Sequence, residues 1–156
     1  QRAVKICRFL SLEENADVIE QVSRTENVKS YVTRILKKLE KETTASKKEN
    51  SARDCYDELC ASLILKFPDQ TKQVLCFVMN SCYGGVWSMS NIDGILEENE
   101  EQLTVNGLDE VRRCMAEEIC TFFKQHKMGR IDKKAVKSQS EYLMKLGLDY
   151  KKVLKL

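Results

Sequence analysis

Apolar residues recur along much of this chain at intervals of three and four positions, the spacing that places side chains on one face of an α-helix. Each such stripe predicts an amphipathic helix with one buried face. Four stripes follow the rule: Val28, Tyr31, Val32, Ile35, Leu36 and Leu39; Tyr56, Leu59, Cys60, Leu63, Ile64 and Phe67; Leu108, Val111, Met115, Ile119 and Phe122; and, more weakly, Val136, Tyr142, Leu143 and Leu146.

Residues that interrupt helices are scarce, since the chain has one proline and six glycines. Pro68 is expected to end one helix, and Asp69 to cap the next. Two segments are predicted to be loops, Thr43–Asn50 and Gly84–Ser90. The sequence therefore predicts an all-α fold, with residues 1–156 forming a single-domain irregular bundle of about six to eight helices. The helices are expected at about 3–10, 12–23, 26–46, 52–67, 70–83, 91–102, 107–126 and 133–146, with a last turn at about 149–155.

Composition narrows the class of protein. The chain has 156 residues, of which 42% are hydrophobic and 32% charged, so it can build a core and extensive disorder is not expected. The formal net charge is only +2, which argues against a strongly cationic nucleic-acid binder. No apolar run approaches the ~20 residues of a membrane-spanning helix, so no membrane span is predicted.

Seven cysteines are more than an ordinary domain carries. Six of them form three close pairs, five or six residues apart, and Cys7 is left over. Within a helix those spacings turn the chain by about 140° or 240°, so any bridge must join different helices. Disulfide linkage is predicted with the pairing left open. The candidates are Cys55, Cys60, Cys76, Cys82, Cys114 and Cys120.

The cysteines and the first residue of the chain indicate in which cellular compartment the protein is expected. Paired cysteines indicate an oxidising environment, and Gln1 fits the start of a mature secreted chain. The chain is therefore expected to be secreted. The alternatives are that Gln1 is an arbitrary boundary and that the cysteines are buried free thiols of a cytoplasmic protein.

Motifs for catalysis and cofactor binding are missing from the sequence. No G-x-S-x-G, phosphate-binding glycine loop or EF-hand pattern occurs, so neither an enzyme nor a cofactor is predicted. His126 is the only histidine, and no C-x-x-C occurs, so no metal site is expected. A dyad of Cys120 and His126 is disfavoured, because six residues place them on different faces of a helix.

Charge is distributed unevenly along the chain. Residues 91–120 hold nine acids and two bases, a net charge of −7, whereas residues 124–156 hold ten bases and three acids, or +7. Residues 29–48 hold seven bases and two acids, or +5. One interpretation is that these charges pair with one another on solvated helix surfaces. The other is that a basic surface binds an anionic partner.

We expect a non-enzymatic, secreted helical binding protein that engages a protein or another anionic partner through basic helical surfaces. Trp87 is added as an interface anchor, because tryptophan is common at binding hot spots, and the alternative is that it folds back to seal one end of the core. One alternative is a carrier of small hydrophobic ligands with a pocket between helices, although the cysteine spacing differs from that of insect odorant-binding carriers and no family is assigned. Another is an intracellular adaptor or assembly domain with free thiols. The candidate binding residues are Trp87, Lys37, Lys38, Lys41, Lys133, Lys134 and Lys137.

Overall fold

A computed structural model of the chain describes residues 49–80, 85–105 and 107–156, with side chains from residue 56 onward in those ranges. Within them the secondary structure is entirely helical, which confirms the all-α prediction. Two short 3-10 helices, Pro68–Gln70 and Glu100–Gln102, accompany seven α-helices. These are α1 (Glu49–Lys66), α2 (Thr71–Met79), α3 (Val86–Glu98), α4 (Gly107–Gln125), α5 (Arg130–Ser138), α6 (Ser140–Lys145) and α7 (Tyr150–Val153).

The predicted stripes of α1 and α4 form the centre of the core. In α1 the side chains of Tyr56, Leu59 and Ile64 are completely buried. In α4 the buried stripe ends at Phe123, whereas the predicted Phe122 is only half-buried beside it. Burying a leucine or isoleucine side chain stabilises the fold by roughly 1.5–3 kcal/mol, so these faces fix the packing.

Helix α1 packs mainly along α3, and α2 packs along α4. Contacts of α1 with α2, and of α3 with α4, join these pairs into one bundle. The three short C-terminal helices close one side of it: α5 lies against α3, and α7 contacts both α5 and α6. Val136, Leu143 and Val153 carry the apolar side chains of these short helices into the core.

Helix α3 begins earlier than predicted. Its first residue is Val86, inside the segment that was predicted to be a loop, and the backbone of Gly85 precedes it with a φ of 46°. Val86 and Met89 are buried and continue the apolar stripe of Ile92, so burial favours helix over loop. The predicted end at residue 102 is also wrong, since α3 stops at Glu98 and a 3-10 turn follows.

The helix predicted over residues 133–146 is two helices, separated at Gln139. The first of them starts three residues earlier, at Arg130, because the carboxylate of Asp132 accepts a hydrogen bond from the backbone N–H of Gly129 at 3.1 Å.

The predicted break at Pro68 is confirmed. Asp69 does not cap α2, since it lies inside the 3-10 helix and the N-cap position falls on Gln70.

The predicted disulfide linkage is not found among the described cysteines. Cys60, Cys76, Cys114 and Cys120 are all free thiols. Their environments explain this: Cys60 is completely buried in the apolar face of α1, whereas Cys76 is exposed. Cys114 and Cys120 point to different sides of α4, as the six-residue spacing requires. Cys7, Cys82 and the side chain of Cys55 lie outside the described residues, as do Lys37, Lys38, Lys41 and the helices predicted before residue 47.

Candidate binding surface

Trp87 and α5 are brought together by a direct hydrogen bond. The indole N–H of Trp87, in the first turn of α3, donates to the hydroxyl oxygen of Ser138 at 2.8 Å. That hydroxyl donates in turn to the carbonyl oxygen of Ala135 at 3.0 Å. This hydrogen bond joins residues that are 51 positions apart in the chain. Trp87 and α5, which both carry predicted binding residues, therefore lie on one surface.

Helix α5 buries one side and exposes its lysines on the other. Ala135 and Val136 face the core, and Lys133, Lys134 and Lys137 are exposed. Intervals of three and four residues place these lysines beside one another on the outer face. Within the described part of the chain, none of the three forms an ion pair.

A groove runs between Trp87 and α5. It has a volume of about 340 Å³, and its walls include the rings of Trp87 and Phe122. Ile131, at the start of α5, also lines the groove, although its side chain is 73% exposed. The ring of His126 lies over that of Phe122, with centroids 4.6 Å apart and planes inclined by 35°. The groove is therefore apolar inside and open at its edge.

Basic residues are frequent in the stretch of sequence that forms one side of this groove. Between Lys124 and Lys137 the chain carries six basic residues and one acidic residue, a local net charge of +5. The exception is Asp132, whose carboxylate is already engaged by the backbone N–H of Gly129. Exposed positive charge on α5 therefore lies near a partly apolar depression whose own wall includes Asp132, and this combination is the main chemical feature of the surface.

In the acidic segment, by contrast, four of the nine carboxylates are paired within the described residues. Arg112 binds Asp93 through Nε at 2.9 Å and Nη2 at 2.8 Å, and its Nη2 also reaches Glu97 at 3.0 Å. Arg113 bridges two further acids, and its hydrogen bond holds the pKa of Glu110 below the usual value. Pairing thus neutralises part of the acidic segment, whereas the lysines of α5 form no ion pair among the described residues.

A second, polar cleft lies between α3 and α6. It has a volume of about 490 Å³, and Asp93, Glu97 and Lys145 contribute to its wall. The charges there neutralise one another, since Lys145 lies 3.6 Å from Glu97 and Arg112 covers Asp93. Tyr142 at the same cleft is buried, which raises the pKa of its hydroxyl, and its O–H donates to the sulfur of Met115 at 3.1 Å.

Metal-binding clusters are absent from the described residues. No group of three or more histidine, cysteine, aspartate or glutamate side chains is placed there to hold a metal ion. Cys120 is half-buried on α4, and His126 is exposed beyond its end. No helix within the described ranges is long and apolar enough to cross a membrane.

The sequence predicted Trp87 and the α5 lysines as binding residues, but it did not indicate the groove beside Trp87. Phe122 was expected in the core, and Ile131 received no role. A signal was available for Ile131, because it lies among charged residues and outside the predicted apolar stripe.

Comparison with protein-family models, with curated proteins and with solved structures finds no match to this chain.

Proposed function

We propose that this chain is a non-enzymatic helical binding protein whose partner is an acidic protein. Its binding surface, here called the α5 surface, consists of Trp87, Ile131, Lys133, Lys134 and Lys137. The observation that carries the proposal is that these three lysines are exposed and, within the part of the chain that the structure describes, form no ion pair, next to a partly apolar groove.

A protein partner fits this surface better than the small hydrophobic ligand of the carrier alternative. Carrier pockets enclose most of the surface of their ligand. The groove beside α5 has exposed residues in its wall, among them Asn80, His126 and Ile131. A ligand there would keep one side in water, as a side chain of a bound protein does at the edge of an interface.

The predictions of secretion and of disulfide linkage have less support than the prediction of a binding role. The four cysteines with described side chains are free thiols, which weakens the support that the cysteine pairs gave to an oxidising compartment. Free thiols are the usual state in a reducing compartment, so they favour the alternative of an intracellular adaptor. The binding role is the same in either compartment, and so is its test. Lys37, Lys38 and Lys41 stay predicted contributors outside the described residues.

The proposal is tested by reversing the charge of the α5 surface. The triple variant Lys133→Glu, Lys134→Glu, Lys137→Glu is compared with a control that reverses Lys151, Lys152 and Lys155, three exposed lysines at the C-terminus. Both variants change the net charge by the same amount. Binding to immobilised polyglutamate is measured at about 50 mM and about 300 mM NaCl, where screening differs strongly.

The expected result is that the α5 variant loses binding at low salt by about tenfold or more, whereas the control loses clearly less. Wild-type binding should weaken at high salt, because exposed charges are screened. Equal losses in the two variants would show that only overall charge matters. Unchanged binding in the α5 variant would remove this surface from the proposal.

A further inference from the structure

We propose that the groove beside α5 receives one large apolar side chain from an acidic segment of the partner protein. This inference rests on the proposed function and adds to it the chemistry that the partner must present. The anchor side chain would lie between Trp87 and Ile131, over the ring of Phe122, while acidic neighbours of the anchor meet the lysines of α5.

The walls of the groove are suited to an apolar anchor. Trp87 and Phe122 offer ring surfaces, and Val86 and Met79 lie deeper in the lining. Val86 and Met79 are buried, so they supply a fixed apolar floor. Ile131 exposes 73% of its side chain at the rim and would be covered by a bound residue. Burying such apolar area is the main source of binding energy at an interface.

The size of the groove favours a single side chain over a larger ligand. Its volume of about 340 Å³ is at the low end of the range for small-molecule sites. Helix α5 has nine residues and so spans ~13 Å, which an extended peptide covers with about four or five residues. A short segment of the partner therefore extends along the whole helix.

Charge complementarity identifies the flanking residues of that segment as acidic. Lys134 lies three residues after Ile131 on α5 and so neighbours it on the helix surface, although it does not itself line the groove. Lys133 and Lys137 continue the positive charge on the outer face, and Lys127 and Arg130 precede them. Glutamates or aspartates beside the anchor would meet these exposed cations, and Asp132 is the one acid among the residues that line the groove.

A protein segment is favoured over an anionic membrane, because the apolar element here is a depression. Membrane-binding surfaces present protruding apolar side chains that enter the lipid. At this site Trp87 is half-buried and hydrogen-bonded to Ser138, which holds the indole against α5 instead of projecting it outward. An anionic lipid surface is therefore tested as the competing outcome.

The experiment titrates the full chain with a synthetic peptide of about eight residues that has one phenylalanine flanked by glutamates. Binding is followed by the fluorescence of Trp87, the single tryptophan of the chain. Three comparison probes are used: the same peptide with alanine at the anchor, the same peptide with glutamine for glutamate, and vesicles of phosphatidylserine.

The substitution Ile131→Ala removes part of the groove wall, and Met144→Ala is its matched control, since Met144 is also 73% exposed but does not line the groove.

We expect the phenylalanine peptide to bind about five- to tenfold more tightly than its alanine counterpart, as for a truncated interface anchor. Ile131→Ala should reduce that preference, and Met144→Ala should leave it unchanged. Equal binding of the two peptides, with the charge-reversal result intact, would overturn the anchor and leave the proposed function standing. Loss of peptide binding altogether would contradict both. Binding to vesicles in preference to the peptide would assign the surface to lipid.

Discussion

At the scale of single residues, Asp93 is the most unusual position of the described fold. It lies between Ile92 and Gly94 on α3, and its side chain is only 3% exposed. A buried carboxylate is costly unless it is paired and hydrogen-bonded. Arg112 from α4 supplies two parallel hydrogen bonds, and this bidentate geometry is the strongest that an arginine can offer. Asp93 therefore fixes α3 against α4.

Replacing this carboxylate should destabilise the fold measurably. Asp93→Ala removes both acceptors and leaves the Arg112 guanidinium with only Glu97, so we expect the free energy of unfolding to fall by about 2–3 kcal/mol. Urea denaturation followed by circular dichroism measures the change. The matched control is Glu117→Ala, which breaks an exposed pair with Arg113 and should leave the urea midpoint nearly unchanged. Equal midpoints for the two variants would show that the buried pair has no special role.

The four described thiols should differ in reactivity according to their burial. Burial raises the pKa of Cys60 well above its ordinary value, so this thiol stays protonated even at about pH 8.5 and lacks the reactive thiolate. Cys76 is exposed and should be alkylated first in the native protein. Cys114 is half-buried, and burial raises its pKa, so it should react more slowly than Cys76.

Peptide mapping after iodoacetamide treatment, before and after denaturation, gives the order of labelling. All four cysteines should be alkylated after denaturation without a reducing agent, and Cys60 only then. A described cysteine that becomes reactive only after reduction would show a disulfide and restore the original prediction. Rapid labelling of Cys60 in the native protein would contradict the packing of α1.

At the scale of elements, the apolar periodicity predicted the helices that have one continuous stripe. The expected ranges of 52–67 and 107–126 agree with α1 and α4 to within three residues at either end. Periodicity failed where local signals compete with burial. The Gly84 and Gly85 pair suggested that the loop extends to Ser90, but the burial of Val86 and Met89 begins α3 there. Likewise, the stripe from Val136 to Leu146 spans two helices, because its spacing does not mark the break at Gln139.

The candidate site was predictable in its parts and not in its arrangement. Exposed lysines follow from the amphipathic pattern of α5, since Ala135 and Val136 occupy its buried side. The hydrogen bond between Trp87 and Ser138 joins residues of different helices, and no local spacing reveals such a contact. The groove beside Phe122 depends on the same tertiary packing, so only the structure could place it.

The contact between α3 and α5 should depend on the Ser138 hydroxyl. Ser138→Ala removes the acceptor of the Trp87 indole N–H, at a cost of about 1 kcal/mol. We expect faster amide hydrogen exchange within α5, with little change in α1 or α4. The control is Ser140→Ala, two residues further along at the start of α6. Identical exchange in α5 for the two variants would show that the hydrogen bond does not hold this helix.

At the scale of the whole molecule, a formal net charge of +2 conceals a separation of charge. The acids of residues 91–120 are partly neutralised by Arg112 and Arg113 within the bundle. The bases around α5 stay exposed and give the molecule a positive side. Such a local field guides the approach of a charged partner more than net charge does. The described part of the fold therefore presents a cationic surface at α5 beside a partly apolar groove.

The measurement that tests this account most directly is a two-dimensional NMR titration of the uniformly ¹⁵N-labelled chain with the acidic phenylalanine peptide. The indole N–H of Trp87 gives a single side-chain signal, because no other tryptophan exists in the chain. We predict that this signal and the amides of Arg130–Ser138 shift together, and that the shifts vanish at high salt. Shifts concentrated elsewhere, for example at the polar cleft of Glu97 and Lys145, with Trp87 unchanged, would contradict the α5 surface as the binding site.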